Sequence, residues 1–181
     1  MPTANGGKKP GGISALNKAL LDTDTLSGIG KGINLPVAGN ATTYRRAFGR
    51  YTTSVVRIME IIRGFPRATS TQRLQTIVAS ITVLELLPFD QAAAELAGRI
   101  AGDLERVGRP IGVADPMIAA IALTHGLELV TSNTTHFHYV QNLGYPLTLV
   151  NWRQRSEEST PAAENRCQFR MASGIPFLLT G

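Results

Sequence analysis

Short apolar runs alternate with stretches of helical periodicity between residues 18 and 152, and this alternation is what most narrows the possible folds of the 181-residue chain. Ala19-Leu20-Leu21 reads as a buried strand that halts abruptly at Asp22-Thr23-Asp24. Residues 51–56 (YTTSVV) are β-branched and aromatic and predict a second strand. Residues 86–89 suit a short strand and turn, and 127–131 and 147–150 two further strands. Helical spacing fills the intervals. In 57–64, Ile58, Ile61 and Ile62 share a face before Gly64; 69–84 is a further helix. Residues 90–108 carry the clearest pattern, with Asp90 as N-cap and Ala93, Leu96, Ala97, Ile100, Leu104 and Val107 on one face. Another helix opens at Asp115-Pro116, cap then proline, and runs to Gly126. Strands alternating with helices imply a three-layer α/β domain with a mainly parallel central sheet. In such a sheet, ligands bind beyond the carboxyl ends of the strands.

The length suits one domain of about 100–200 residues. Its expected bounds are 18–152, preceded by a Gly, Lys and Pro-rich leader (1–17) expected to be disordered and followed by a polar tail (153–181). No apolar run approaches the roughly 18 residues that a membrane span requires. The leader has no apolar stretch behind its lysines, unlike a secretory signal. A single cysteine, Cys167, excludes an internal disulfide and agrees with a cytoplasmic location. A net charge of +5 permits an anionic partner, and Arg45, Arg46, Arg50, Arg57, Arg63, Arg67 and Arg73 crowd the first half. Charge alone is better explained by solubility.

Three carboxylates stand out by position: Asp22 ends the first strand, Glu60 lies on the helix after the second, and Asp115 opens a later helix. Singly, each has an ordinary explanation as a turn cap, a solvated helix residue and an N-cap; Asp24 is either a fourth carboxylate or a cap. Jointly, they fall where strand ends and helix starts converge. Carboxylates so placed repel, and a divalent cation relieves the conflict; hard oxygen ligands suit Mg²⁺ or Mn²⁺. Such an ion activates water and stabilises charge on a phosphoryl oxygen. An acidic pocket in a basic protein is what phosphodiester hydrolysis needs.

These residues also resemble a family. Leu20-Leu21-Asp22-Thr23-Asp24-Thr25-Leu26-Ser27 looks like the opening motif of PIN-domain toxins of the VapC kind. Thr53-Ser54-Val55-Val56 running into Met59-Glu60-Ile61-Ile62-Arg63-Gly64 resembles their second motif. Ile111-Gly112-Val113-Ala114-Asp115-Pro116-Met117-Ile118-Ala119-Ala120 resembles the third. Leu129-Val130-Thr131-Ser132-Asn133-Thr134-Thr135-His136-Phe137 resembles the fourth, and Leu149-Val150-Asn151-Trp152 the last strand. The ordered set spans 18–152. It implies a PIN-like α/β/α fold and a Mg²⁺-dependent endoribonuclease toxin, with Mn²⁺ a possible substitute. It further implies an RNA substrate, a cognate antitoxin that holds the toxin inactive, and a homodimer. Asp22 and Asp115 would be the metal ligands, Glu60 would complete the cluster through water, and Asn133 would orient a carboxylate or phosphate-bound water. Thr23 and Ser54 are candidate supporting hydroxyls.

One departure qualifies the resemblance. Where many relatives carry a fourth acid, this chain has His136, which fits either a single-metal site with His136 near the phosphate or a solvent-facing histidine with no role. The rival reading is a catalytically degenerate PIN module that binds RNA or a protein partner; a phosphatase using the same pocket is a third. Gly28-Ile29-Gly30-Lys31-Gly32 lacks the full phosphate-loop pattern and reads as a flexible linker between helices. Apolar residues at 58–62 and 74–78 are either an antitoxin groove or core, and His125 beside Gly126 reads as a helix-end partner.

Overall fold

A computed structural model of the chain describes residues 17–32, 34–64, 72, 75 and 79–154. The elements run β1 (Ala19–Leu21), α1 (Thr23–Lys31), α2 (Leu35–Phe48), β2 (Thr52–Ser54), α3 (Val55–Arg63), β3 (Glu85–Leu87), α4 (Gln91–Arg106), α5 (Ala114–Thr124), β4 (Glu128–Val130), α6 (Thr134–Asn142) and β5 (Leu149–Val150). The leader up to residue 16 and the tail from 155 lie outside the described residues, as do Arg67, Arg73 and Cys167.

Every strand pairing is parallel. β4 lies between β1 and β5, with Leu20 opposite Leu129 and Val130 opposite Val150, while β2 pairs with β3 through Thr53 and Leu86. β2 flanks β1, where the Thr53 hydroxyl donates to the Leu21 carbonyl at 2.8 Å. The α/β architecture with a parallel-strand sheet expected from the alternation is therefore present.

The period of two along a strand sorts side chains onto two faces. Leu20 and Leu129 pack with Ile100, Leu104, Ile118, Phe137 and Val140 from α4, α5 and α6. Their neighbours Ala19, Leu21 and Val130 pack instead with Leu26, Ile29, Val37, Tyr44 and Trp152. These two cores make the sheet the middle of three layers. On the second face Tyr44 is fully buried, and its hydroxyl donates to the Ala19 carbonyl at 3.0 Å, bolting α2 to β1.

β2 is an unusual central strand, since Thr52, Thr53 and Ser54 are all fully buried and polar. Each hydroxyl is satisfied: Thr52 by Glu85, Thr53 by Leu21 and Ser54 by the amide of Arg57.

Several expectations are corrected. The strand expected over 51–56 stops at Ser54, because the Ser54 side chain caps a helix that starts at Val55 rather than Arg57. Gly28 to Lys31 are not a linker but the last turn of α1, which Gly32 closes in the left-handed conformation at φ 63°. α2 was not expected at all. It follows Asn34, whose side chain accepts from the Val37 amide at 3.1 Å. Of the helix expected over 69–84, residues 72, 75 and 79–81 are helical and 82–84 form a turn and bend; the rest lies outside the described residues. The 90–108 helix is present as α4, capped by Asp90 through the Ala93 amide at 2.9 Å.

Candidate active site

Three elements deliver the carboxylates to one edge. Asp22 directly follows β1 and caps α1 by accepting from the Thr23 amide, while its own amide donates to the Val130 carbonyl at 2.9 Å. β1 and β4 thus end side by side, and Thr131 follows β4 just as Asp22 follows β1. The Thr131 hydroxyl donates to Asp22 Oδ2 at 2.6 Å. Asp115 lies in the first turn of α5, one residue inside Ala114, and the preceding Val113 provides no side-chain cap. The expectation that Asp115 caps this helix is therefore corrected, and its carboxylate faces across the site instead.

The residue that joins them is Arg57, which the sequence reading grouped with arginines facing phosphates. It is 7% exposed and is the only buried Lys or Arg among the described residues. Its Nε stands 2.9 Å from Asp22 Oδ1, without the alignment of a hydrogen bond. One terminal nitrogen donates to Glu60 Oε2 at 2.6 Å, and the other lies 3.9 Å from Asp115 Oδ1. Glu60 sits one turn after Arg57 on α3 and is half-buried. Asp22, Glu60 and Asp115 thus converge on a single guanidinium.

Burial pushes the Asp22 carboxyl above its ordinary value of 3.8, and the Arg57 charge and the Thr131 hydrogen bond pull it back. Asp24, an exposed residue in the first turn of α1, adds a small upward push and accepts from Ser132 at 2.8 Å. It does not cap α1; Asp22 does.

The remaining candidates divide. His136, half-exposed in the first turn of α6, brings Nδ1 to 2.7 Å from Asp115 Oδ2, so it faces the acidic cluster. Asn133 lies next to this group in sequence but is exposed, and its side chain makes no hydrogen bond to a described residue; its amide donates to the Thr131 hydroxyl at 3.0 Å. The Thr23 hydroxyl is buried beside Asp22 without a hydrogen-bond partner. The Ser54 hydroxyl is committed to capping α3.

Hard carboxylate oxygens and an orphaned hydroxyl at one edge fit a divalent cation in kind. Among the described residues, however, no three of His, Cys, Asp and Glu close to metal-ligating distance, and it is the Arg57 guanidinium that faces all three carboxylates. Arg57 and Thr131 are the two members that sequence reasoning missed as site residues. An arginine three residues before Glu60 on a helix is the signal for the first; nothing in the sequence distinguishes Thr131 from its neighbours.

Comparison with known proteins places this edge in context. The profile described as the PIN domain matches residues 38–142. A tRNA(fMet)-specific endonuclease VapC of Shigella flexneri is 38% identical over 96 residues, covering 52% of this chain and 73% of that protein. Ribonuclease VapC10 of Mycobacterium tuberculosis is 31% identical over 141 residues, covering 76% of this chain and 98% of its own length. Among solved structures, DNA-bound VapBC from Salmonella typhimurium superposes with a TM-score of 0.60 at 29% identity, covering 76% of this chain and 99% of the matched one.

Proposed function

We propose, from the premise that this chain belongs to the PIN-domain family, that it is a Mg²⁺-dependent endoribonuclease and the toxin of a toxin–antitoxin pair. The convergence of Asp22, Glu60 and Asp115 at the carboxyl edge of a parallel sheet carries this reading. The names of the relatives, an endonuclease and a ribonuclease, and of a VapBC complex support it.

In this reading Asp22 and Asp115 would hold the metal and Glu60 would complete the cluster through water, with Mn²⁺ an alternative ion. A bound Mg²⁺ supplies positive charge that activates water and stabilises the phosphoryl oxygens of an RNA phosphodiester. The residues of the chain supply the rest. Thr131 fixes the rotamer of Asp22 by its 2.6 Å hydrogen bond. His136 orients Asp115 and, being half-exposed, is accessible to a phosphate bound there. Asn133, exposed at the start of α6, is free to turn towards substrate. Arg46, Arg50 and Arg63 are exposed and available for the RNA backbone.

The antitoxin and a second copy of the chain are the proposed protein partners. Val55, Met59 and Ile62 recur at helical spacing on α3 and are 38%, 50% and 45% exposed. This apolar stripe lies on the outer face of α3, turned away from the buried Arg57 of the same helix, and offers a partner an apolar surface there. Of the other half of the expected groove, 74 and 76–78 lie outside the described residues. Among the described residues no helix is long and apolar enough to cross a membrane, and a cytoplasmic location is part of the proposal.

The test is cleavage of RNA by the purified protein with Mg²⁺, with EDTA and with Asp115→Asn. The expected result is cutting that requires Mg²⁺ and falls to background in the variant. If a folded protein cuts no RNA and binds no Mg²⁺, the degenerate binding module replaces this reading.

A further inference from the structure

The acidic cluster already contains a cation. Arg57 is the only buried Lys or Arg among the described residues, and its guanidinium lies against Asp22 at 2.9 Å and Glu60 at 2.6 Å, within 3.9 Å of Asp115. A guanidinium does not escape such a position by losing its proton, unlike a lysine or histidine. A divalent ion seeking the same carboxylate oxygens meets a fixed like charge within a few ångströms, at a depth where water screens little.

The contact with Asp22 is also a loose one. Nε is buried and close to Oδ1 yet makes no hydrogen bond, so its attraction is that of charge without the directional component that locks a bidentate pair. The hydrogen bond to Glu60, by contrast, lies within α3 and would move with that helix.

We infer that Arg57 is a built-in competitor for the divalent ion: it holds Asp22, Glu60 and Asp115 together in the metal-free chain and withdraws when metal takes Asp22 and Asp115. The inference rests on the metal-dependent reading above. Arg57 lowers metal affinity, and in return the fold does not depend on metal. Without that charge, three converging carboxylates repel, and the metal-free protein becomes the weaker state.

The experiment is a Mn²⁺ titration of the full chain, by calorimetry and by the EPR signal of free Mn²⁺, on wild type, Arg57→Met and Asp115→Asn. Melting curves in EDTA and in Mn²⁺ accompany it. Arg57→Met is expected to bind Mn²⁺ roughly tenfold more tightly than wild type, the size of effect that removing one nearby charge produces. It should also melt earlier than wild type in EDTA and recover with Mn²⁺. Weaker or equal Mn²⁺ binding by a folded Arg57→Met overturns the inference, because an arginine that merely aligns the carboxylates would give that result. Folding of the variant only in Mn²⁺ supports it. Should Arg57→Met fold in neither condition, Arg57→Gln, which keeps an amide donor for Glu60, carries the same comparison; its failure to fold in Mn²⁺ would make Arg57 a structural residue and overturn the inference. If wild type binds Mn²⁺, Asp115→Asn does not, and the neutral variants gain nothing, only the role of Arg57 falls. If no version binds Mn²⁺, the metal-dependent reading falls with it.

Discussion

At Asp22 two effects oppose each other, and their balance gives the metal-free protein a pH dependence of its own. Burial raises the carboxyl above 3.8 more than Arg57 and Thr131 lower it. Asp22 therefore binds its proton more tightly in the folded chain than in the unfolded one. The resulting penalty is absent below the unfolded value, grows as pH rises through the interval between the two, and is complete above the folded value. Denaturant melts in EDTA between pH 4 and pH 7 should show wild-type stability falling across that window at this residue, and Asp22→Asn removing that part of the slope. A slope unchanged in the variant would place the pH dependence elsewhere. Asp22 was legible because it ends a predicted strand, Asp115 because it opens a predicted helix, and Glu60 because it lies on the helix that follows the second strand. The geometry of Arg57 was not legible, since an arginine on an amphipathic helix is ordinarily solvated. Nor was that of Thr131, whose contact with Asp22 crosses from one strand to its neighbour, 109 residues away.

Among the elements, α3 carries the most. Its cap, Ser54, is the last residue of a fully buried strand, and its first two turns hold Arg57 and Glu60. Ser54→Ala leaves the Arg57 amide without its partner and is expected to cost about 0.5–2 kcal/mol, read as a lower denaturation midpoint. Nuclease activity should fall by more than the unfolded fraction explains, because fraying starts under both site residues; activity falling only in step with unfolding would show the cap to be purely structural. The sequence marked this helix but misplaced its start. A run of β-branched residues favours a strand, and Val55 and Val56, which open the helix, were read as part of it. α2 went unread for a related reason. Gly39, Thr42 and Thr43 are poor helix formers, and the helix rests on Asn34, Pro36 and the burial of Val37, Ala38, Ala41 and Tyr44. Gly28 was misread in the opposite sense. A Cβ there would meet Val37 Cγ1 at 3.5 Å, an ordinary packing contact, so the glycine lies in α1 against α2 rather than in a linker.

Across the whole molecule, the two cores clamp the sheet whose edge forms the site. Ile118, fully buried one turn after Asp115, ties α5 to β1, β4 and α4. Ile118→Ala should cost about 2–5 kcal/mol, or roughly 5–15 °C in Tm, as a cavity opens beneath α5. A shift of less than a degree would mean that α5 is not held by this core. The five strands in their order, the α/β class and the helices that became α3, α4 and α5 were determined by the sequence alone. They follow from local periodicity and capping, which need no knowledge of distant partners. What only the tertiary structure decided is which charges meet. Asp22, Arg57, Glu60, Asp115, Thr131 and His136 come from five separate places in the chain, and parallel pairing of β1 with β4 brings them to one edge. Whether an aspartate caps a helix or faces an arginine depends on desolvation and on a neighbour dozens of residues away, and neither is written in local spacing.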